Sequence, residues 1–396
     1  CSVDIENNKD QFVFCSEIKG LRWYNNNVEE FPPGKILRLN FDEFKNTEIS
    51  FYDFKWVYNV LQVIKDENYY LDNVRKAVIN SVRRRLVADR PLAFLLSGGV
   101  DSSLVCAISQ KILNQPINTF CCGMGKGTDL KYAKMVSDHI KSHHTEVLFT
   151  EQEGFDSIPD VIEAIESWDT TTVRASVGQF LVSKFIGTNT DCKVVLVGEG
   201  PDEVCSSYMF NWNAPSGKEM HNAALKYVDE IHYYDSKRGD RCISHWGLEG
   251  RVPLLDPEVI EAYWKIPSDM RLPKTKGIEK WWLRQAFANM NLLPDEVLWR
   301  KKEAFSDGVS SKEKSWYEII QEKIDLLVPK NYEELSNQYN SNKPVTKEAY
   351  YFRNIFTNKF GMNRDNIIPG YWQPMWSGKE GEYIDPSARI LDAYTD

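Results

Sequence analysis

The sequence predicts an α/β protein in which helices cover both faces of a parallel sheet. Three observations lead to this prediction. From about residue 70, short apolar runs alternate with segments of helical periodicity, which is typical of a sheet covered on both faces. A glycine-rich turn joins one of these runs directly to a helix. Residues 220–320 then carry mostly helical periodicity, so a largely helical C-terminal part is expected.

The individual elements follow from local pattern. Apolar residues recur at three- and four-residue steps over 74–86 and again over 103–113, which predicts two amphipathic helices. Alternating or continuous apolar runs predict the strands, at 11–15, 35–39, 92–96, 118–123, 146–149 and 193–197. Because the first strands are short and separate from the rest, we predict a small β domain over 1–54 and a main domain over 55–396.

Composition excludes several classes of protein. The formal charge is −9, whereas nucleic-acid binders need clustered Lys and Arg, so no nucleic-acid partner is expected. No apolar run approaches the roughly 18 residues of a membrane helix, and no signal segment is evident at the start of the sequence. The eight Cys lack metal-site spacing. They predict free buried thiols in a reducing compartment. Together with the missing membrane and signal segments, this predicts a cytoplasmic protein without a membrane partner.

The strongest chemical signal is the run Ser97-Gly98-Gly99-Val100-Asp101-Ser102-Ser103 between a predicted strand and a predicted helix. Paired glycines allow close backbone approach, and the free amides of a helix start attract an anion. The three hydroxyls can donate to phosphate, and Asp101 supplies a hard oxygen for Mg²⁺. An ordinary glycine turn is the competing interpretation, but it would need neither the aspartate nor the hydroxyls. We therefore predict a phosphate-binding loop.

A second acidic loop, Gly198-Glu199-Gly200-Pro201-Asp202-Glu203, follows another predicted strand. The carboxyl ends of parallel strands are where open α/β sheets bind ligands. Asp202 is therefore expected to join Asp101 in holding Mg²⁺, and Glu199 to hold a substrate ammonium group. Gly198 and Gly200 are assigned to nucleotide binding. A solvated acidic turn is the alternative for this loop.

Two cations are candidate electrophilic residues. Arg174 lies in the segment TTTVRAS and Lys302 in the segment RKKEAFSDG. Departure of pyrophosphate spreads negative charge over oxygens, so fixed cations that face it lower the barrier. Taken singly, each would be a solvated surface group.

With these residues in hand, the chain resembles the asparagine synthetases, especially the eukaryotic type. The matching segments occur in the family's order over essentially residues 10–393. They are LLSGGVDSS, TTTVRASVGQFLVSKFI, GEGPDE, GLEGRVPLLD, RLPKTKGIEK, LLPDEVLWRKKEAFSDG and DPSAR. The first resembles the pyrophosphate loop of enzymes that split ATP into AMP and pyrophosphate, which implies an adenine nucleotide α-hydrolase-like fold.

The resemblance implies a ligase that uses ATP and Mg²⁺ to convert L-aspartate to L-asparagine through β-aspartyl-AMP. It implies that Leu95 and Cys122 border the adenosine, that Ser97–Ser103 hold pyrophosphate, and that Glu199 positions the intermediate. Lys302 and Arg174 would stabilise charge on the phosphates. Two departures stand out: Pro201 where the family more often has Ser, and Cys205-Ser206-Ser207 in place of a Gly-containing run.

Complete family members carry an N-terminal glutaminase domain that releases ammonia through an N-terminal Cys. Here residues 1–54 resemble the last strands of that domain, so the chain is expected to use free ammonia. Glutamine would serve only if a glutaminase domain were supplied. Cys1 has the right chemistry for the glutaminase nucleophile, but without a pocket it is expected to be a vestige. The sequence does not define the oligomeric state, and a homodimer is one candidate.

Two alternatives remain. A β-lactam synthetase-like ligase would adenylate a different carboxylate with the same loop, and a tRNA-modifying member is less favoured because a polyanion footprint is absent. From another class, the chain could be a catalytically silent scaffold or binding protein. The joint presence of Asp101, Asp202, Arg174 and Lys302 argues against that reading.

Overall fold

A computed structural model describes residues 2–5, 12–23, 28–38, 50–51, 60–62, 64–125, 127–302, 308–310, 314–377 and 383–385. Its strands are β1 (Ser2–Ile5), β2 (Phe12–Cys15), β3 (Val28–Glu30), β4 (Leu37–Arg38), β5 (Ser50–Phe51), β6 (Leu92–Leu95), β7 (Asn118–Gly123), β8 (His143–Leu148), β9 (Val194–Leu196) and β10 (Glu249–Arg251). The boundary predicted between residues 54 and 55, and Cys1, lie outside the described residues.

The helices of the main part are α1 (Glu67–Arg85), α2 (Val100–Leu113), α3 (Thr128–Ile140), α4 (Glu151–Asp156), α5 (Ile158–Ile165), α6 (Thr170–Asn189), α7 (Pro201–Val204), α8 (Gly217–Glu230), α9 (Asp235–Ser244) and α10 (Pro257–Trp264). They continue with α11 (Ser268–Arg271), α12 (Pro273–Lys276), α13 (Trp281–Phe287), α14 (Asp295–Leu298), α15 (Trp316–Leu327), α16 (Tyr332–Leu335) and α17 (Lys347–Phe360). Among the described residues, no helix is both long and apolar enough to span a bilayer.

The central sheet has five strands in the order β10-β9-β6-β7-β8, and every neighbouring pair is parallel. Its buried side chains alternate between the two faces, as strand geometry requires. Ala93 joins a core built largely from α5, α6, α15 and α17, whereas Phe94 joins a core built largely from α1, α2, α10 and α13. The predicted parallel sheet with helices on both faces is confirmed.

The N-terminal strands form an antiparallel sheet in the order β2-β1-β3, and β4 pairs with β5. This segment shares a core with the main part, because Ile18, Leu21 and Val28 are buried among its helices. The buried Glu166 carboxylate also accepts hydrogen bonds from the amides of Ile18 (2.9 Å) and Lys19 (2.8 Å). Hydrophobic contact and these bonds fix the N-terminal segment onto the end of α5.

Helix α6 is anchored at its start by a buried carboxylate. Asp169 precedes the helix and accepts hydrogen bonds from the Thr172 amide at 2.8 Å, its hydroxyl at 2.7 Å and the Trp372 amide at 2.7 Å. Burial raises the pKa of Asp169 from 3.8 to about 6, although the three hydrogen bonds act in the opposite direction. The charged form is therefore costly in the folded protein.

We expect this carboxyl group to lower stability as pH rises from 4 to 6. Between these values the folded protein keeps a proton that the unfolded chain has lost, so the free energy of unfolding falls with pH. The fall is about 3 kcal/mol for a pKa difference of this size. Urea unfolding at several pH values, for the wild type and Asp169→Asn, measures it as the difference between the two proteins. Parallel pH profiles would contradict the prediction.

Candidate active site

A cleft opens where β6 and β9 end side by side. From β6 the chain proceeds to β7 and β8 on one side, while β9 and β10 lie on the other. Such a switch point leaves a crevice outside the carboxyl ends of the strands. A cavity of about 170 Å³ occupies it. Its walls carry the following predicted site residues: Leu95, Ser97, Gly99, Asp101, Ser102, Gly198, Glu199, Gly200, Asp202 and Lys302.

The predicted phosphate loop connects β6 to the first turn of α2. Gly99 is the N-cap residue of the helix, and Gly98 has a φ of 74°. A Cβ atom at Gly98 would lie 2.5 Å from the Cβ atom of Tyr132, so another residue would not fit. The Ser97 and Ser102 hydroxyl oxygens are 3.0 Å apart, and the Ser102 hydroxyl also accepts from the Ser97 amide at 3.2 Å. These contacts hold the loop in shape at the helix start.

The second loop packs directly against the first. A Cβ atom at Gly198 would lie 2.4 Å from the backbone nitrogen of Ser102, so glycine is required where the two loops cross. Gly200 has a φ of 104°, and a Cβ atom there would lie 2.2 Å from Leu255. At both positions glycine lets the loop backbone pass close to a neighbouring residue. The loop thereby places Asp202 opposite the start of α2.

The two unusual features of the second loop are accommodated structurally. Pro201 is the first residue of α7, a position where its missing amide costs no helical hydrogen bond. Ser206 has a φ of 53°, a conformation that glycine adopts more readily. The Ser207 hydroxyl donates to the Asp202 carboxylate. The departure from a glycine-containing run therefore introduces strain at Ser206 and a new contact at Ser207.

Lys280 bridges the two aspartates, and Lys302 contacts one of them. The Lys280 ammonium group contacts Asp101 and lies 2.5 Å from an Asp202 oxygen, and the Lys302 ammonium group contacts the same oxygen. Lys280 is 5% exposed and has a φ of 57°, a strained conformation for a side chain of its size. The four charged groups form one cluster in the cleft.

Burial and charge act in opposition within this cluster. Burial raises the pKa of Asp101, and the neighbouring Asp202 raises it further, although Lys280 opposes both effects. Burial would also raise the pKa of Asp202, but Lys280 and Lys302 outweigh it and hold that pKa below its ordinary value. Burial would lower the pKa of Lys280, but the two carboxylates raise it instead. Asp202 and Lys280 are therefore charged at neutral pH.

The donor set fits a magnesium ion that shares its coordination with phosphate. Asp101 Oδ1 is buried and has no hydrogen-bond partner among the described residues, so a hard oxygen is free for a ligand. Among these residues no group of three or more His, Cys, Asp or Glu side chains is arranged to hold a metal. Two carboxylates without a third suit Mg²⁺, which is usually held by one or two carboxylates together with water and substrate phosphate.

Further cations surround the phosphate loop. Arg300 donates to the Gly98 carbonyl oxygen at 3.3 Å and lies 3.3 Å from an Asp129 oxygen, while its guanidinium carbon lies 4.0 Å from the centre of the Tyr132 ring. The Lys302 ammonium group lies 4.7 Å from the centre of the Tyr208 ring. These contacts hold both side chains beside the phosphate loop.

Arg174 is not among the residues that line the cleft. It is 3% exposed, and its guanidinium forms paired hydrogen bonds to Glu348 (2.7 and 2.5 Å) and Asp385 (2.8 and 3.0 Å). Two carboxylates neutralise the one cation, so no charge remains for a phosphate. Arg174 instead joins α6 to α17 and to the segment 383–385. The catalytic role of Arg174 stays a prediction, and in this structure its guanidinium is held by two carboxylates.

Three other predicted residues lie behind the cleft wall. The Ser103 side chain, in the first turn of α2, is fully buried, and Gly98 contributes to the loop through its backbone. The buried Cys122 thiol donates to the Gly178 carbonyl oxygen at 3.2 Å, and burial raises its pKa well above the ordinary range. Like the other described cysteines it is a free thiol, as predicted. Contact of Cys122 with an adenosine group stays a prediction.

Sequence reasoning missed several charged residues that the fold brings into the cleft. They are Lys280, Arg238, Asp235, Asp129 and Arg300. Lys280 lies at the end of RLPKTKGIEK and Arg300 at the start of RKKEAFSDG, so both belong to segments already singled out. Arg238 and Asp235 stand three residues apart on α9, which places them on one helical face. That spacing was the one feature of the local sequence that could have indicated Arg238 and Asp235.

The fold and the cleft define an α/β protein with its ligand site at a topological switch point, between a glycine-rich loop and an acidic loop. The family model "Asparagine synthase" matches residues 73–223 and 211–377. The chain belongs to the asparagine synthase family.

Curated relatives support the same assignment. The chain is 44% identical over 328 residues to "Asparagine synthetase [glutamine-hydrolyzing]" of Gallus gallus, a match that covers 81% of this chain and 57% of the relative. It is 42% identical over 329 residues to the protein of that name from Homo sapiens, covering 82% and 58%. The chain thus spans less than two thirds of the length of these relatives. Among solved structures, an NMN synthetase from Francisella tularensis is 12% identical, with a TM-score of 0.32, over 76% of this chain and 97% of that chain.

Proposed function

We propose that this chain is a ligase that activates the side-chain carboxylate of L-aspartate with ATP and transfers it to ammonia. The intermediate would be β-aspartyl-AMP, and the products asparagine, AMP and pyrophosphate. The observation that carries the proposal is the convergence of Asp101, Asp202, Lys280 and Lys302 in one cavity beside the start of α2. Family membership supports the choice of reaction.

The phosphates of ATP would lie on the loop between β6 and α2. The free amides at the start of α2 and the Ser97 and Ser102 hydroxyls would donate to them, aided by the helix dipole. Asp101 and Asp202 would hold Mg²⁺, which neutralises phosphate charge and orients the leaving pyrophosphate. Lys280 would exchange its carboxylate partners for phosphate oxygens when the nucleotide binds.

The chemical step places negative charge on the departing pyrophosphate. The aspartate side-chain oxygen forms a bond to the α-phosphorus, and the bond from that phosphorus to the bridging oxygen of pyrophosphate breaks. Lys302 and Lys280 are fixed cations at this end of the cleft, and one such group contributes on the order of 3 kcal/mol. In the second step ammonia attacks the acyl carbon, AMP leaves, and the nitrogen loses a proton.

The ammonia source follows from the same proposal. The relatives are named as glutamine-hydrolysing proteins, and this chain matches their synthetase part. We propose that ammonia is the nitrogen donor at this cleft, whether it is supplied free or released from glutamine. A cytoplasmic location is proposed on the same likeness.

Exchange of labelled pyrophosphate into ATP tests the proposal. The purified chain, with Mg²⁺ and ATP, is incubated with L-aspartate, L-glutamate, succinate or an N-carboxymethyl amino acid of the kind a β-lactam synthetase would take. We expect exchange that depends on L-aspartate. Exchange with another acid in its place would move the chain to the β-lactam synthetase-like alternative. No exchange with any acid would favour the silent scaffold.

A further inference from the structure

A carboxylate outside the two loops of the cleft, that of Asp129, approaches the chain on both sides of Lys302. Asp129 lies in the first turn of α3 and is 5% exposed. One of its oxygens lies 3.3 Å from the guanidinium of Arg300, which precedes Lys302 in the sequence. A Cβ atom at Gly308, which follows Lys302, would lie 2.4 Å from the Asp129 carboxyl group. Asp129 is therefore packed between Arg300 and Gly308.

The Arg300 side chain is fixed by the phosphate loop and by α3 together. Besides its contact with Asp129, the guanidinium donates to the Gly98 carbonyl oxygen at 3.3 Å. Its central carbon lies 4.0 Å from the centre of the Tyr132 ring. A guanidinium is planar, so stacking on a ring fixes the directions in which its N–H groups can donate. The chain at residue 300 is thereby attached to the loop that would hold phosphate.

The backbone at residues 308–309 lies directly on the turn between β7 and α3. The Met124 amide donates to the Val309 carbonyl oxygen at 2.8 Å. A Cβ atom at Gly127 would lie 2.9 Å from the same carbonyl oxygen, so the two stretches of backbone approach closely. The Val309 side chain is 2% exposed and belongs to a hydrophobic core. Asp129 fills the space that a side chain at residue 308 would need.

We propose that Asp129 is a positioning residue for Lys302, and that it acts by fixing the chain on both sides of that lysine. The inference rests on the proposed function, in which Lys302 is a cation that faces the departing pyrophosphate. The Lys302 ammonium group contacts Asp202 and lies 4.7 Å from the centre of the Tyr208 ring. A displacement of about 1 Å of a group that acts in the transition state can cost on the order of 10² in rate.

The charge of Asp129 makes an indirect role more suitable than contact with the nucleotide. Asp129 lines the cleft beside the phosphate loop, where a carboxylate repels phosphate oxygens. Its ion pair with Arg300 brings one charge of each sign and so leaves the net charge of the cleft unchanged. Asp129 thus differs from Asp101 and Asp202, whose carboxylates meet at the Lys280 ammonium group.

Kinetics of pyrophosphate exchange into ATP test the role of Asp129. Asp129→Asn keeps the size of the side chain but removes the charge that faces Arg300. We expect kcat to fall about 10²-fold and the KM for L-aspartate to change less than about 3-fold, because the affected group acts on the departing pyrophosphate. Arg300→Met should lower kcat in the same way. Arg300→Lys keeps the charge without the planar fork and should lose less.

A double variant separates positioning of Lys302 from a general loss of structure. Lys302→Met removes the side chain that Asp129 would position. Adding Asp129→Asn to Lys302→Met should slow the remaining exchange by less than about 3-fold, whereas the effects of independent sites multiply. A further loss of about 10²-fold in the double variant would overturn the proposal. Asp138→Asn is the matched control on the same helix, because Asp138 is exposed and pairs with Lys134; its kcat should equal that of the wild type.

Hydrogen–deuterium exchange tests the anchoring without any catalysed reaction. The Met124 amide donates to Val309, and the Arg300 amide donates to the Val297 carbonyl oxygen at 3.3 Å. In Asp129→Asn, peptides that cover 121–125 and 299–302 should take up deuterium about 10-fold faster, while peptides of α5 and β6 keep the wild-type rate. Unchanged uptake in the first two regions, or an equal increase in all four, would overturn the proposal.

The two measurements distinguish failure of this inference from failure of the proposed function. A wild type that catalyses no pyrophosphate exchange would contradict the proposed function. Faster deuterium uptake confined to 121–125 and 299–302 in Asp129→Asn would then still support the anchoring by Asp129. An active wild type whose Asp129→Asn variant has an unchanged kcat would overturn the positioning role and leave the proposed function intact.

Discussion

Asp101→Asn is expected to reduce aspartate-dependent pyrophosphate exchange by about 10³ while leaving the protein folded. The substitution removes a carboxylate that contacts Lys280 and would hold Mg²⁺. Loss of one group that stabilises the transition state costs about 10² to 10³ in rate, and loss of the metal adds to this. Burial raises the pKa of Asp101, so its charge opposes folding. The melting temperature of Asp101→Asn should therefore equal or exceed that of the wild type.

The matched control is Asp138→Asn on α3. Asp138 is exposed and pairs with Lys134 one helical turn away, an interaction worth a few tenths of a kcal/mol. Its exchange rate and melting temperature should match those of the wild type. An Asp101→Asn protein that exchanges pyrophosphate at the rate of this control would show that the acidic pair is not part of the reaction.

The two loops of the cleft could be predicted because each is encoded within a few neighbouring residues. Glycines, hydroxyls and an aspartate between a strand and a helix indicate a phosphate loop, and an acidic run after a buried strand indicates its counterpart. A parallel sheet then brings the ends of such strands to one edge. The structure does so for Asp101 and Asp202, which share the Lys280 ammonium group.

The cations could not be assigned in this way, because their partners are distant in sequence. Lys280 is 179 residues from Asp101, and nothing in its immediate neighbours distinguishes it from a surface lysine. Its left-handed backbone conformation exists only in the folded chain. The same limit applies to β10, whose residues Glu249–Arg251 carry no apolar pattern and pair with β9 through backbone bonds. Tertiary structure decides these cases.

At Arg174 the local sequence suggested a site residue, and the partners that decide its environment are again distant in sequence. A conspicuous segment suggested a phosphate-binding cation, but its counterions lie 174 and 211 residues away, at Glu348 and Asp385. A buried guanidinium held by two carboxylates has a structural role. The pKa of Arg174 shows the balance: burial alone would lower it, but the two carboxylates raise it well above its ordinary value.

Arg174→Met is therefore expected to lower the free energy of unfolding by about 3 to 5 kcal/mol, because removal of one partner leaves buried charge without compensation. Typical domains are stable by about 5 to 15 kcal/mol, so the midpoint of unfolding should shift to a clearly lower urea concentration. Urea unfolding followed by tryptophan fluorescence measures the change, and the KM for ATP of the folded fraction should be unaffected.

A second substitution tests the cause of this loss. Glu348→Gln removes one of the two stranded carboxylates, so the double variant Arg174→Met with Glu348→Gln should recover part of the stability that Arg174→Met loses. Residues in direct contact are expected to be non-additive in this way, and a strictly additive result would contradict the proposed ion cluster. If Arg174→Met instead keeps its stability but loses exchange by about 10², the arginine would act on the phosphates after all, and its carboxylate partners would have to release it when ATP binds.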